Sequence, residues 1–203
     1  MPETDPIIPE FHRMLGRADK EALLTQQGCV IWLYGMSGSG KSTLANALER
    51  RLHQEGVFTV LLDGDNVRTG LNKDLGFSKE DRTENLRRIA EVAKLFREAG
   101  IVTIVSFITP LEVARQQARD ILGGPDFRMV YIQSDFKTCA ERDPKGLYAR
   151  GSRGELPHFT PEGMLFEEPV NPDITLDTRI LDLSQTLEQL HAAVKPLIDK
   201  PTS

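Results

Sequence analysis

Residues 29–52 read CVIWLYGMSGSGKSTLANALERRL: an apolar run, a glycine-rich octet and an amphipathic stretch in direct succession. The octet GMSGSGKS matches G-x-x-x-x-G-K-[ST] at Gly35, Gly40, Lys41 and Ser42. It lies between a strand pattern and a helix pattern, the context in which this motif cradles phosphate. Gly35, Gly38 and Gly40 let the backbone turn its N–H groups inward along Met36, Ser37 and Ser39. The helix start at Lys41, Ser42 and Thr43 adds partial positive charge, Lys41 reaches the β- and γ-phosphates, and Ser42 offers a hydroxyl ligand for Mg²⁺. The alternative is a glycine-rich strand-to-helix turn without ligand, which the full motif in this context disfavours.

Working outward, apolar runs at Cys29–Leu33, Phe58–Leu62, Ile101–Phe107 and Phe127–Ile132 read as buried strands, with a fifth at Ile174–Asp177. Helical patterns fall between them, at 41–54, 81–99, 111–122, 135–142 and 183–198. The clearest is 81–99, where Leu86, Ile89, Ala90, Ala93 and Phe96 recur at the spacing of one buried face and Gly100 supplies the stop. Strands alternating with helices predict an α/β, three-layer P-loop NTPase fold: a parallel five-stranded sheet with helices on both faces and ligands at the carboxyl ends of the strands. The expected organisation is an N-terminal extension at 1–27 and one domain over 28–203. Residues 143–172 break the rhythm with Pro144, Gly146, Gly151, Gly154, Pro157 and Pro161. So long a segment without regular structure reads as a mobile lid.

The 203 residues, 39% hydrophobic and 27% charged, fit one compact domain, with no apolar run long enough to span a membrane. The start MPETDPIIPE has neither a basic nor an apolar leader region, and two cysteines make no disulfide framework, so a cytoplasmic setting is expected. Cys29 and Cys139 read as core residues, and the four histidines lack metal-ligand spacing. A net charge of −5 argues against a nucleic acid polymer as partner. A GTPase switch is disfavoured, because Asn72, Lys73 and Asp74 approach N-K-x-D but Leu75 stands where the aspartate is required.

The phosphate cradle leaves the recipient open, and DGDN at 63–66 addresses it. Asp63 and Asp65 leave the second strand at the same sheet edge as the cradle. A carboxylate there holds a Mg²⁺-bound water or takes a proton from an attacking hydroxyl. The competing role is capping the next helix, which suits Asp65 better than Asp63. Arg68, Phe77, Arg82, Asn85 and Arg88 follow. Arg82 and Asn85, spaced i, i+3, share a helix face. Each arginine alone reads as a solvated face, and core packing is the lesser alternative for Phe77; as a cluster beside a strand-end aspartate they point to an acidic, aromatic acceptor.

With these residues assembled, GMSGSGKSTLANALE, LLDGDNVRTGLNKDLGFSKEDRTENLRRIAEVAKLF, SFITP and CAERDPKGLYAR followed by GELPHFT resemble the adenylylsulfate kinase family over about residues 28–178. The resemblance implies transfer of the γ-phosphoryl of MgATP to the 3′-hydroxyl of adenosine 5′-phosphosulfate in sulfate assimilation. It implies Asp63 as base or Mg²⁺ organiser, and Asp65, Arg68, Arg82 and Asn85 on the acceptor nucleotide. Phe77 and Phe159 would stack on the two faces of its adenine, Ile108 would make backbone contacts, Lys145 would approach the transferring group, and Arg142 would pack on the adenine of ATP. It also implies a homodimer and leaves open a functional coupling to a sulfate adenylyltransferase.

The chain departs from the family pattern in places. Thr109 stands at the serine of F-I-S-P, described as a phosphorylated position, and direct transfer is favoured over a covalent intermediate. Tyr34 replaces a threonine, Thr69 a histidine, Pro161 a glycine, and Ser152 falls at an arginine. These changes leave two other readings: a P-loop kinase for another nucleotide or small alcohol, and a catalytically weak nucleotide-binding module.

Overall fold

The apolar run before the glycine octet forms β1 (Val30–Tyr34), whose five residues are all buried and which lies at the centre of the sheet. In the computed structural model, which describes residues 10, 13–143, 146–153, 155 and 166–199, four further strands flank it: β2 (Thr59–Asp63), β3 (Val102–Ser106), β4 (Phe127–Gln133) and β5 (Ile174–Asp177). Their order is β2-β3-β1-β4-β5, and every pairing is parallel. Strands buried on both faces need helices on both, and the alternation within β1 divides the core. Ile31 and Leu33 pack with Leu44, Leu48 and Leu52 of α2 (Lys41–Gln54) and Leu190, Val194 and Ile198 of α8 (Leu183–Ile198). Val30, Trp32 and Tyr34 face Leu86, Ile89 and Ala93 of α4 (Lys79–Glu98) and Ala118 and Leu122 of α5 (Glu112–Leu122). Each fully buried large apolar side chain contributes about 1.5–3 kcal/mol.

Asp63 pairs in register with Ser106, and Ser106 with Leu33, so the ends of β2, β3 and β1 open onto one edge. Two of the strands, β1 and β2, begin and end one residue later than the apolar runs suggest. Tyr34, Asp63 and their neighbours are held by ladder hydrogen bonds that hydropathy does not register.

The opposite end of the sheet is tied to α1 (Arg17–Leu24). Arg17 donates to Glu21 Oε1 at 2.7 Å and also to Asp126 and the carbonyl of Gly28. Gln26 exchanges hydrogen bonds with the backbone of Phe58 and donates to Gly100 O at 3.0 Å. Between residues 143 and 172, expected to lack regular structure, the chain forms α7 (Leu147–Ser152). Asp143 organises its start by accepting from the N–H groups of Tyr148 (3.2 Å) and Ala149 (3.0 Å), a local interaction without periodicity to betray it. Two short helices complete the set, α3 (Gly64–Arg68) and α6 (Phe136–Arg142). Among the described residues no helix is long and apolar enough to cross a membrane.

Candidate active site

The turn from β1 into α2 is built on positive φ. Gly35, Gly38 and Gly40 have φ of 152°, 79° and 98°, and a Cβ would lie 2.5 Å from Ile132 O at Gly35 and 2.7 Å from Cys139 O at Gly38. Only glycine fits these two positions without moving backbone. The loop is braced from three sides. Gly35 N–H donates to Ile108 O at 3.2 Å, which occupies that residue's carbonyl. Tyr148 donates its hydroxyl to Ser37 O at 2.7 Å, and burial raises the phenol above its ordinary pKa, so it remains a donor. Thr178 donates to Ser39 O at 3.0 Å while Arg142 holds Thr178 through its carbonyl (2.7 Å) and hydroxyl (3.2 Å). Ser37 and Ser39 are buried, and Met36 is half-buried. Lys41, also buried, folds its ammonium back over the loop onto Met36 O at 2.6 Å. Ser42 and Thr43 are exposed in the first turn of α2, where the helix dipole favours an anion.

The two halves of the edge meet at Ser42. Its hydroxyl donates to Asp63 Oδ2 at 2.8 Å and lies 3.3 Å from Ser106 Oγ. Asp63 Oδ1 accepts the N–H of Asp65 at 3.1 Å, which makes Asp63 the N-cap of α3. This corrects the expectation that Asp65 is the better cap: Asp65 lies within the first turn and supplies the N–H that is capped. The strand end fixes Asp63 in extended backbone (φ −102°, ψ 140°), the conformation an N-cap requires, so one carboxylate both caps α3 and faces Ser42.

Beyond α3 the basic cluster divides into committed and uncommitted charges. Arg88 is committed, with a bidentate pair to Asp74 (2.8 Å each) and a bond to Glu84. Arg68 and Arg82 form no ion pair among the described residues. Arg68 lies 4.7 Å from the centre of the Phe77 ring and Arg82 5.8 Å, and both donate to backbone carbonyls of the 75–77 turn. Burial, followed by the charge of Arg82, pulls the Arg68 guanidinium below its ordinary pKa, and the charges of Asp81 and Asp65 offset that only in part. Phe77 is 61% exposed, which rules out the core-packing alternative. Asn85 is buried and accepts from Asn72 Nδ2 at 2.9 Å.

Thr109 is 1% exposed, has φ of 45°, and accepts Trp32 Nε1–H at 2.9 Å through its hydroxyl. Its carbonyl accepts from Arg115, whose buried guanidinium also reaches Pro110 O, Glu112 and Glu167 O and lies 5.0 Å from the Tyr34 and Phe166 rings. Lys145, Phe159 and Pro161 lie outside the described residues. Both cysteines are buried, and burial pushes the Cys29 thiol up to about 12, which suits a core residue. Sequence reasoning missed Ser106, Thr178 and Tyr148. Ser106 and Thr178 sit at or just past carboxyl ends of strands, a position that flags site residues in parallel sheets; Tyr148 carried no such signal.

The model of the adenylylsulphate kinase family matches residues 27–177. The adenylyl-sulfate kinase of Phocaeicola vulgatus is 50% identical over 198 residues, spanning 98% of this chain and 97% of its own. That of Bacteroides fragilis is 49% identical over 200 residues, spanning 98% and 99%. Among solved structures, the Mycobacterium tuberculosis APS kinase CysC in complex with AMPPNP and APS is 40% identical, with a TM-score of 0.79 over 83% of this chain and 98% of that one. By the family model and by these relatives, this chain belongs to the adenylylsulphate kinase family.

Proposed function

We infer that this chain transfers the γ-phosphoryl group of ATP to the 3′-hydroxyl of adenosine 5′-phosphosulfate, yielding 3′-phosphoadenosine 5′-phosphosulfate. The observation that carries the reading is the pair of uncommitted guanidiniums, Arg68 and Arg82, around an exposed Phe77, beyond the carboxylate that touches Ser42 of the phosphate cradle. Two cations beside an accessible aromatic ring suit an anionic nucleotide, and the cradle suits a second one.

In this reading residues 35–43 hold the donor triphosphate, with Arg142 beside the donor base. Arg68, Arg82, Asn85 and Asp65 orient the acceptor, Phe77 and Phe159 stack on its adenine, and Ile108 adds backbone contact. Lys41 swings from Met36 O to the phosphates, and Lys145 joins it. The O3′–P bond forms as the bond from phosphorus to the β,γ-bridging oxygen of ATP breaks, ADP leaves, and the O3′ proton passes to Asp63. Both Asp63 oxygens already accept one hydrogen bond, and each keeps lone-pair capacity for that proton. The oxygens of Ser42 and Asp63, with Ser106 adjacent, are hard donors of the kind Mg²⁺ takes alongside phosphates and water. Bound there, Mg²⁺ would neutralise charge on the transferring group. Direct transfer is preferred to a phospho-threonine because the Thr109 hydroxyl is buried and engaged by Trp32. A cytoplasmic setting, a homodimer, residues 1–27 as an extension ahead of the catalytic body, and 143–172 as a closing lid belong to the same proposal.

The test is a coupled assay with ATP, Mg²⁺ and adenylylsulfate, following ADP and the 3′-phosphorylated product. Stoichiometric formation of both is expected. Turnover of another alcohol with none of adenylylsulfate, or tight binding of both nucleotides without turnover, would refute the reading.

A further inference from the structure

Asn72 lies in the turn between α3 and α4 and is fully buried. Its N–H donates to Val67 O at 2.9 Å, and its carbonyl accepts from Leu75 N at 3.1 Å, so the backbone around it is fixed. Its side chain has one partner, Asn85 Oδ1, reached from Nδ2 at 2.9 Å, while Asn72 Oδ1 is buried with none. Asn85 Nδ2 makes no hydrogen bond among the described residues and is not sealed from solvent.

A pair of amides can be joined in two senses. Here the pair leaves the Asn72 carbonyl oxygen and one of its two N–H donors without a partner among the described residues. In the reverse sense, Asn85 would donate to Asn72 Oδ1, and the Asn72 NH₂ group, with two donors, would be stranded in the interior. Stranded buried N–H groups are rarer than under-satisfied carbonyls, and each unmet donor costs about 1–3 kcal/mol, so the observed sense is favoured. The choice matters because an amide has two chemically opposite ends. With its carbonyl turned to the buried Asn72, Asn85 is left to present its N–H groups to the site, one helical turn from Arg82.

We propose that Asn72 is a positioning residue that holds the Asn85 amide with its nitrogen toward the acceptor nucleotide, so that this wall of the acceptor site consists of donors only. The ligand atom it takes is a hydrogen-bond acceptor: a phosphate or sulfate oxygen, a ribose oxygen or an unprotonated ring nitrogen. The inference rests on the placement of Asn85 in the acceptor site argued above.

The test is steady-state kinetics on Asn72→Leu, Asn85→Leu and the double variant, with KM measured separately for adenylylsulfate and ATP. Asn72→Leu is expected to raise the adenylylsulfate KM about fivefold to tenfold, with kcat and the ATP KM within twofold, since one misdirected hydrogen bond is worth about that factor. In the Asn85→Leu background the same substitution is expected to add nothing. A merely structural role would move both KM values and kcat together and persist in that background, and either result overturns the proposal. Should Asn85→Leu leave the adenylylsulfate KM unchanged, the placement of Asn85 falls first, which separates the two failures. If Asn72→Leu does not fold, side-chain amide exchange in the wild-type protein decides: Asn72 NH₂ protons are expected to exchange slowly with solvent and those of Asn85 quickly, and the opposite order sinks the idea.

Discussion

In the proposed reading, the donor and acceptor halves of the site are made in different ways. The donor half is a continuous run, residues 35–43, whose shape is set by the backbone: three glycines at positive φ and a helix start. The acceptor half is gathered from β2, α3, the turn at 69–77 and α4, and its shape is set by side-chain ties. These are Asn72 to Asn85, Arg88 to Asp74, Asp81 to the Gly76 N–H, and Arg82 to Phe77 O. A backbone cradle resists substitution at its positive-φ glycines, and its peptide N–H groups suit any triphosphate. A cradle of side chains can be altered one contact at a time, which suits the half that must choose its ligand.

The sharpest way to break this contrast is at the seam. Asp63→Asn keeps a cap for α3 but removes the carboxylate that faces Ser42, and kcat is expected to fall by more than about 10²-fold. A near-normal kcat would leave the two halves without a shared chemical group. Next in size, Arg82→Ala is expected to raise the adenylylsulfate KM about tenfold, the worth of one charge-assisted hydrogen bond, with the ATP KM within twofold. An equal effect on both substrates would erase the division. Smallest in turnover is Thr109→Val. It strands the buried Trp32 N–H and is expected to cost about 1–3 kcal/mol in denaturant unfolding while kcat stays within about threefold. Collapse of kcat with stability intact would instead make the hydroxyl a chemical participant.

The same contrast explains what could be read in advance. The cradle, its strand and its helix were legible because their signals are local: α2 begins at Lys41 and ends at Gln54, the bounds that the pattern suggests. The amphipathic period of α4 likewise set its buried face. The acceptor residues were nameable, but their states were not. Nothing in the spacing of Arg68, Arg82 and Arg88 distinguishes the last, spent on Asp74 and Glu84, from the first two. That depends on which carboxylates the turn at 69–77 brings near. Asp63 took the capping role expected of Asp65, while still facing Ser42, because capping is decided by which residue stays extended at the strand end, a matter of sheet register and not of residue type.

Arg115 carries one further implication. A single buried guanidinium secures the backbone at Thr109, Pro110 and Glu167 and is sandwiched between rings from β1 and from Phe166. Glu167 N–H also donates to Pro110 O at 2.9 Å. Tolerance to mutation is therefore very uneven around the site: the half-buried Arg68 and Arg82 can drift singly and retune affinity, whereas a change at Arg115 unfastens several segments at once. Neutral drift that adapts this enzyme to a new acceptor would be expected to spare Arg115 and explore the turn at 69–77.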